Sequence, residues 1–373
     1  MVAGQENPAR LESRERMSTT ADANAGTVAV REAHRFDEAA LAHWLAGHVE
    51  GYAGPLSVEQ FKGGQSNPTY KLATPRRSYV LRRKPPGQLV KGAHAVDREA
   101  RVLTALARTG FPVPQVHGLC TDEGVIGTAF FVMDMVEGRI FWDATFPDLP
   151  AAERAACFDA MNATIAQLHG LDPDAIGLGD YGRAGNYFER QIGRWSRQYL
   201  EDVDAGRDAD MDWLVEILPG RIPPGEETRL VHGDFRCDNM IFHPTEPRVI
   251  AVLDWELSTL GHPLADFAYH ATMYRMPPDI VAGLAGADLA ALNIPPEADY
   301  LAAYCARTGR AAIPHYGFYV AFNFFRLAAI FHGIKGRVIR GTASSAHARE
   351  RAANFPRLAR LARIALEEIL PVA

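Results

Sequence analysis

The spacing of apolar residues changes character once along this chain, close to Gly138. Before that point, short runs between turn residues predict β-strands, and two stretches carry apolar residues three and four positions apart, the spacing of a helix. The predicted strands cover 58–61, 69–72 and 79–83, and the predicted helices cover 37–49 and 96–108. Past Gly138 the helical spacing dominates, with helices predicted at about 187–201, 299–307, 316–331 and 356–369.

The order of these elements predicts an α+β fold with two lobes. Residues 29–134 form a small, β-rich N-lobe. Residues 135–373 form a larger helical C-lobe, which also carries three strand-like runs between 229 and 253. Residues 1–28 are polar and rich in Ala, Glu and Arg, which predicts a disordered tail.

The C-lobe contains a polar motif between two of its strand-like runs. In the sequence VHGDFRCDNM, at 231–240, His232, Asp234 and Asn239 have the H-x-D-x-x-x-x-N spacing of a phosphotransfer catalytic loop. Asp254 follows at the end of the apolar run VIAVLD. We expect Asp234 to orient a substrate hydroxyl and accept its proton, while Asn239 and Asp254 bind Mg²⁺. A solvated hairpin turn is the alternative interpretation.

Two further residues are interpreted as supports of this loop. We expect His232 to pack within the loop rather than to carry a proton. Asp266 lies in the sequence GHPLADF, where a helix is predicted to begin. We expect Asp266 to accept hydrogen bonds from backbone N–H groups of the loop, and a simple helix cap is the alternative.

The N-lobe offers residues that would hold a nucleotide. A glycine-rich turn joins two of its strands, and backbone N–H groups in such a turn can approach phosphate oxygens, although a plain hairpin turn is the alternative. The turn residues are Gly63, Gly64, Gln65, Ser66 and Asn67. Arg82 lies on the third strand, where a cation is expected to hold phosphates, and Glu99 on the next helix is its expected partner. Met135 and Val136 are expected to offer backbone groups to an adenine ring.

Composition excludes several classes of protein. The formal net charge of −6 argues against a protein that mainly binds nucleic acid, because phosphate backbones require a basic face. The four cysteines show no metal-ligand spacing, which favours a reduced, cytoplasmic setting. The most apolar helical stretch, 317–331, is interrupted by Asn323 and Arg326, so it predicts a core helix and no membrane partner. The N-terminus lacks the apolar region of a secretory signal.

Three motifs together, HGDFRCDN, LDWE and GHPLADFAY, resemble the aminoglycoside phosphotransferase and choline kinase superfamily. The stretches FKGGQSNPTYKL, YVLRRKPPG and VDREARVLTAL resemble more narrowly the kinase-like domain found alone in bacteria, or fused ahead of an acyl-CoA dehydrogenase module in animals. The resemblance implies a bilobal protein-kinase-like fold, ATP and Mg²⁺ as cofactors, and phosphoryl transfer to a small-molecule hydroxyl. It matches Asp234 to the family base, Asn239 and Asp254 to the metal ligands, and Glu99 to the ion-pair acid.

The most specific part of the prediction is the molecule that accepts the phosphoryl group. In the fused relatives the implied substrate class is 4-hydroxyacyl-CoA. The segments expected to wall the acceptor pocket are apolar and aromatic and carry Arg and His, which favours a hydroxyacyl-CoA or a hydroxy acid. The candidate substrate contacts are Arg190, Tyr187, Arg326 and His262, the last in place of the Asp usual in the family. An aminoglycoside-modifying enzyme and a kinase-fold regulator that binds nucleotide or acyl-CoA with little turnover are the alternatives.

Overall fold

The structure is a computed structural model that describes residues 26–62, 67–87, 94–343 and 348–368. The described chain divides into two compact units. The first comprises the described residues of Met1–Phe146, together with Ile176–Leu178 and Cys237–Ser258. The second comprises Pro147–Ala175, Gly179–Arg236 and the described residues of Thr259–Ala373. The fold is α+β, because the first unit is rich in strands and the second is mainly helical.

The first unit is built on an antiparallel sheet. Its strands are β1 Thr27–Val28, β2 Ser57–Phe61, β3 Thr69–Ala73, β4 Ser78–Arg83, β5 Val116–Cys120 and β6 Phe130–Asp134. They lie in the order β1-β2-β3-β4-β6-β5. Residues 27 and 28 therefore do not belong to a disordered tail as predicted, because β1 pairs with β2 and the Thr27 hydroxyl donates to Glu59 at 2.8 Å.

Two helices pack with this sheet. Helix α1 spans Glu38–His48 and begins at Asp37, whose carboxylate accepts from two backbone N–H groups. Its Trp44 packs edge-on against Phe130 of β6, within an apolar core shared with the sheet. Helix α2 spans Val96–Ala107, and its buried face includes one charged side chain, Glu99. Burial of a carboxylate is costly without partners, so Glu99 marks a functional region.

A hairpin is formed by the strands β8 (Met240–Phe242) and β9 (Val249–Val252), and it belongs to the first unit. The sequence predicted these residues to lie in the helical lobe. Backbone hydrogen bonds explain the placement in the first unit. The Val252 N–H donates to the Pro112 carbonyl at 2.8 Å, and Arg139 and Phe242 exchange two backbone bonds of 2.8 Å. A side chain at Gly138 would overlap the Phe242 carbonyl, so glycine permits this close approach.

The second unit contains most of the helices. They are α3 Ala151–Gly170, α4 Tyr187–Glu201, α5 Ala209–Ile217, α6 Pro263–Ala271, α7 Leu289–Leu292, α8 Glu297–Thr308, α9 Tyr316–Ile339 and α10 Ala348–Glu367. The strands β7 (Arg229–Val231) and β10 (Thr259–Gly261) pair beside α6. Helix α10 begins at Ala348 rather than at the predicted position 356, so Pro356 lies inside the helix.

Helix α9 lies at the centre of the second unit and packs against α10, α6 and α4. It is long and apolar enough to cross a membrane by length and composition, with a mean hydropathy of 1.3. However, 83% of its most apolar window is buried inside the structure. Such burial is typical of the core helix that the sequence predicted.

Candidate active site

The candidate nucleotide site of the first unit centres on Arg82, which is only 8% exposed. Its Nε lies 3.1 Å from Glu99 Oε2, and its Nη2 lies 2.6 Å from Asp254 Oδ1 and 3.3 Å from Glu256 Oε2. Burial alone would lower the pKa of the Arg82 guanidinium, but the three carboxylates, with Glu99 first, raise it overall. Arg82 therefore stays charged and holds three acids together.

Glu99 is the most buried of these acids, at 2% exposure. Its carboxylate accepts a hydrogen bond from the Trp255 backbone as well as the ion pair from Arg82. Burial, with repulsion from Asp254 and Glu256, outweighs these contacts and raises the pKa of Glu99 to about 7. The cluster thus carries an excess of negative charge that a bound cation would relieve.

A cavity of about 220 Å³ in the first unit opens onto this ion network. Its walls are mostly apolar. The lining residues include Phe61, Val80, Met133, Met135, Val136, Ile140, Ile241 and Leu253, with Arg82, Glu99 and Asp254. Met135 and Val136, predicted to offer backbone groups to an adenine ring, therefore line a pocket that also contains Arg82. The apolar walls end at the charged side chains of Arg82, Glu99 and Asp254.

The predicted metal ligands Asn239 and Asp254 are neighbours in the first unit. The Leu253 N–H donates to the Asn239 carbonyl at 2.8 Å, which sets Asp254 next to Asn239 across the β8–β9 hairpin. The Asp254 backbone has a φ of 63°, a left-handed conformation that Asp tolerates better than most residues. No group of three or more His, Cys, Asp or Glu residues in the described chain could hold a metal. Mg²⁺ keeps waters and phosphate oxygens and needs few protein ligands, so Asn239 and Asp254 stay candidate ligands for it.

Of the five residues predicted to form the glycine-rich turn, the structure describes the last, Asn67. Gly63, Gly64, Gln65 and Ser66 lie outside the described residues. Asn67, which follows them, is buried; its Oδ1 lies 3.0 Å from His94 Nδ1, and its carbonyl accepts from the Thr69 hydroxyl at 3.0 Å. Asn67 is thus tied to His94 and Thr69, and its predicted nucleotide contact stays a prediction.

The part of the candidate catalytic loop that carries Asp234, up to Arg236, lies in the second unit. The Asp234 N–H donates to His232 Nδ1 at 3.2 Å, and Arg236 Nε lies 3.9 Å from Asp234 Oδ1. The hydroxyl of Tyr269 also donates to Asp234 Oδ1. His232 is fully buried and packs edge-on against Phe235. These contacts give the loop a defined shape around one partly exposed carboxylate.

Asp266 of α6 forms hydrogen bonds with the backbone of this loop. Its carboxylate accepts the His232 N–H and the Gly233 N–H, each at 2.8 Å. Burial alone would raise the pKa of Asp266, but His169, at 3.2 Å, and His232 lower it overall. Asp266 therefore stays charged and binds the loop backbone, whereas the cap of α6 is His262.

The candidate substrate residues occupy different environments in the second unit. The Arg326 Nη2 donates to the Gly233 carbonyl at 2.5 Å, so this side chain contacts the loop directly. Arg190 Nη2 donates to the Arg183 carbonyl at 2.7 Å. Tyr187 is buried at the start of α4. His262 caps α6 through Nδ1 and stacks on Tyr319, and burial lowers its pKa to about 4. Its predicted substrate contact stays a prediction.

Comparison with known proteins gives the family. Residues 57–316, well over half of the chain, match the model of the phosphotransferase enzyme family. The chain belongs to this phosphotransferase family. Acyl-CoA dehydrogenase family member 11 of Gallus gallus is 44% identical over 335 residues, which are 87% of this chain and 43% of that protein. This phosphotransferase chain thus spans less than half the length of that relative. The resemblance predicted from the motifs is confirmed.

Solved structures of other phosphotransferases share the fold. A Ralstonia eutropha protein, provisionally assigned as an aminoglycoside phosphotransferase, is 51% identical to this chain and superposes with a TM-score of 0.83. The match covers 90% of this chain and 99% of the Ralstonia chain. The aminoglycoside phosphotransferase APH(4)-Ia, in complex with ADP and hygromycin B, has a TM-score of 0.57 at 16% identity, covering 87% and 97%. The second likeness shows the fold alone. The kinase-like fold predicted from the sequence is confirmed.

Proposed function

We propose that this protein is an ATP- and Mg²⁺-dependent phosphotransferase whose acceptor is a hydroxyl group of a small molecule. The observation that carries the proposal is the buried network of Arg82, Glu99 and Asp254 at the wall of an apolar cavity. The apolar walls suit a purine ring, and the charged end suits phosphates. Burying Arg82 and Glu99 is costly, so their position at the end of an apolar cavity supports a role in holding phosphates.

Asn239 and Asp254 would hold the magnesium ion. When bound, the ion supplies positive charge that neutralises the phosphate oxygens during transfer. Asp254 Oδ1 already accepts from Arg82, so the same carboxylate would have to serve both cations. Glu256, also bonded to Arg82, would compensate Arg82 if Asp254 turned towards the metal.

Asp234 would accept the proton of the attacking hydroxyl. It lies five positions before Asn239 in the sequence, on a loop whose backbone is held by Asp266. Such a base acts mainly by orienting the nucleophile, because phosphoryl transfer needs positioning more than strong proton abstraction. A rigid loop around Asp234 supports this role.

The favoured acceptor is a hydroxyacyl-CoA or a hydroxy acid. Arg326 and Arg236 both contact residues of the Asp234 loop, so the surroundings of the base are cationic. Cationic side chains favour an acceptor that carries carboxylate or phosphate and repel a polyamine. The likeness to a protein named as an acyl-CoA dehydrogenase family member supports an acyl-CoA acceptor.

The test is a screen for ADP formation from ATP and Mg²⁺. Acceptors are medium-chain 4-hydroxyacyl-CoA, the free hydroxy acid, choline and kanamycin, with plain acyl-CoA as a competitor. We expect turnover with the hydroxyacyl thioester, weaker turnover with the acid, none with kanamycin, and inhibition by plain acyl-CoA. Robust kanamycin phosphorylation without acyl-CoA inhibition would support a resistance enzyme instead. Tight nucleotide or acyl-CoA binding with no turnover on any acceptor would support a regulator.

A further inference from the structure

Helix α6 contacts the Asp234 loop through three side chains on one face. Asp266 accepts two backbone N–H groups of the loop, and His270 Nδ1 lies 3.1 Å from the Phe235 carbonyl. Tyr269 lies between them in the sequence, three residues after Asp266, so it projects from the same face of the helix. All nine residues of α6 are buried. The helix is therefore a rigid platform under the loop.

Tyr269 contacts the Asp234 side chain, whereas Asp266 and His270 contact the backbone of the loop. Its hydroxyl donates to Asp234 Oδ1, and the ring is 6% exposed. Burial, with the negative charge of Asp234, raises the pKa of Tyr269 well above its usual value. The hydroxyl thus stays protonated and donates, and it does not act as a base.

Arg326 holds Tyr269 in place. Its guanidinium lies over the Tyr269 ring, 5.2 Å from the ring centroid, and donates to the Gly233 carbonyl at 2.5 Å. A cation over the ring face is attractive, and the second bond ties the same cation to the loop that carries Asp234. Arg326, Tyr269 and the loop therefore form one closed set of contacts.

We propose that Tyr269 is a positioning residue that fixes the direction of the Asp234 carboxylate. A carboxylate held at one oxygen cannot turn freely about its terminal bond, so its other oxygen keeps a constant direction. This inference rests on the proposed function, because the fixed direction matters only if Asp234 receives a hydroxyl proton. It goes further by assigning Tyr269 and Arg326 to orientation of the base.

The test compares two buried tyrosines. Tyr269→Phe removes the hydroxyl that contacts Asp234, while the control Tyr274→Phe removes a buried hydroxyl that donates to the Pro295 carbonyl at 3.0 Å. We measure ADP formation from ATP and Mg²⁺ with 4-hydroxydecanoyl-CoA. We expect Tyr269→Phe to lower kcat by about 10- to 100-fold, as for one lost hydrogen bond to a charged group, with the KM for ATP unchanged. Tyr274→Phe should change kcat by less than about twofold.

A double variant shows whether Tyr269 acts through Asp234. If it does, Tyr269→Phe added to Asp234→Asn lowers kcat by less than about threefold further, because the target of positioning is already gone. Fully multiplicative losses, or equal effects of Tyr269→Phe and Tyr274→Phe, would overturn the inference.

A structural readout separates this inference from the proposed function. If the wild-type chain forms no ADP with any acceptor, the proposed function fails, and crystal structures of the two tyrosine variants still decide the role of Tyr269. We expect the Asp234 carboxylate to turn in Tyr269→Phe and to keep its direction in Tyr274→Phe. The same direction in both variants would contradict the inference.

Discussion

Replacing Glu99 by glutamine should stabilise this protein at alkaline pH, although Glu99 forms a buried ion pair with Arg82. Glutamine keeps the shape of the side chain and can still accept the hydrogen bond from the Trp255 backbone. Arg82 keeps its other partners, Asp254 and Glu256, at 2.6 and 3.3 Å. The substitution therefore removes one of two surplus negative charges without leaving Arg82 uncompensated.

The magnitude follows from the pKa of Glu99, which is about 7 in the folded chain against an ordinary value of 4.5. This difference corresponds to about 3 kcal/mol, at about 1.4 kcal/mol per pH unit. Because the folded state binds the proton more tightly, the stabilisation is fully present below pH 4.5 and is lost as pH rises through 7. Glutamine is neutral throughout, so the gain in unfolding free energy is at most about 3 kcal/mol at pH 8 and vanishes near pH 4.5.

The measurement is urea unfolding between pH 5 and about pH 8, in EDTA and without nucleotide, for wild type and Glu99→Gln. The matched control is Glu246→Gln, an exposed acid that pairs with Arg248 at the surface. We expect the control to change the free energy of unfolding by less than about 0.5 kcal/mol. A loss of about 3 kcal/mol or more for Glu99→Gln at pH 8 would refute the reasoning, because that is the cost of breaking a well-compensated buried pair.

Three further predictions concern other parts of the chain. Asp234→Asn should lose about a thousandfold or more in turnover and still bind Mg²⁺-ATP by calorimetry, while Asp254→Asn should weaken that binding itself. Burial lowers the pKa of His262 to about 4, so the unfolded chain takes up the proton at a higher pH than the folded chain. The free energy of unfolding therefore falls as pH drops from 6.5 to 4. In urea unfolding, His262→Asn should abolish up to about 3 kcal/mol of this loss. Gly138→Ala should lower the free energy of unfolding by about 1–3 kcal/mol, because the added Cβ meets a backbone carbonyl. The control Gly170→Ala should leave that free energy nearly unchanged, because its added Cβ has no neighbouring atom within 4 Å.

Much of the local structure was predictable because the apolar spacing is regular. The predicted strands at 58–61, 69–72 and 79–83 agree with β2, β3 and β4 to within one or two residues. The expected partners Arg82 and Glu99 lie 3.1 Å apart. A kinase carries a phosphate-holding cation on its third strand and a partner acid on the next helix, so the order of elements indicated the pair.

Other features depend on tertiary contacts that the sequence does not encode locally. Glu256 follows Asp254 by two residues, and nothing in LDWE shows that it turns back to Arg82. Tyr269 stands in an apolar helix, where an aromatic residue is usually plain core; only folding places its hydroxyl on Asp234. The β8–β9 hairpin joins the first unit through a bond from Val252 to the distant Pro112 carbonyl.

Trp255 can serve as an intrinsic fluorescent probe of the candidate metal site. The chain has five tryptophans, and this one is 1% exposed, donates its indole N–H to the Val252 carbonyl at 2.9 Å and packs edge-on against Phe111. It directly follows Asp254, so its emission is expected to come from a dry, rigid site one residue from a candidate metal ligand. Difference spectra of wild type and Trp255→Phe would isolate that emission, and titration with magnesium or nucleotide could then be followed by intrinsic fluorescence without any label.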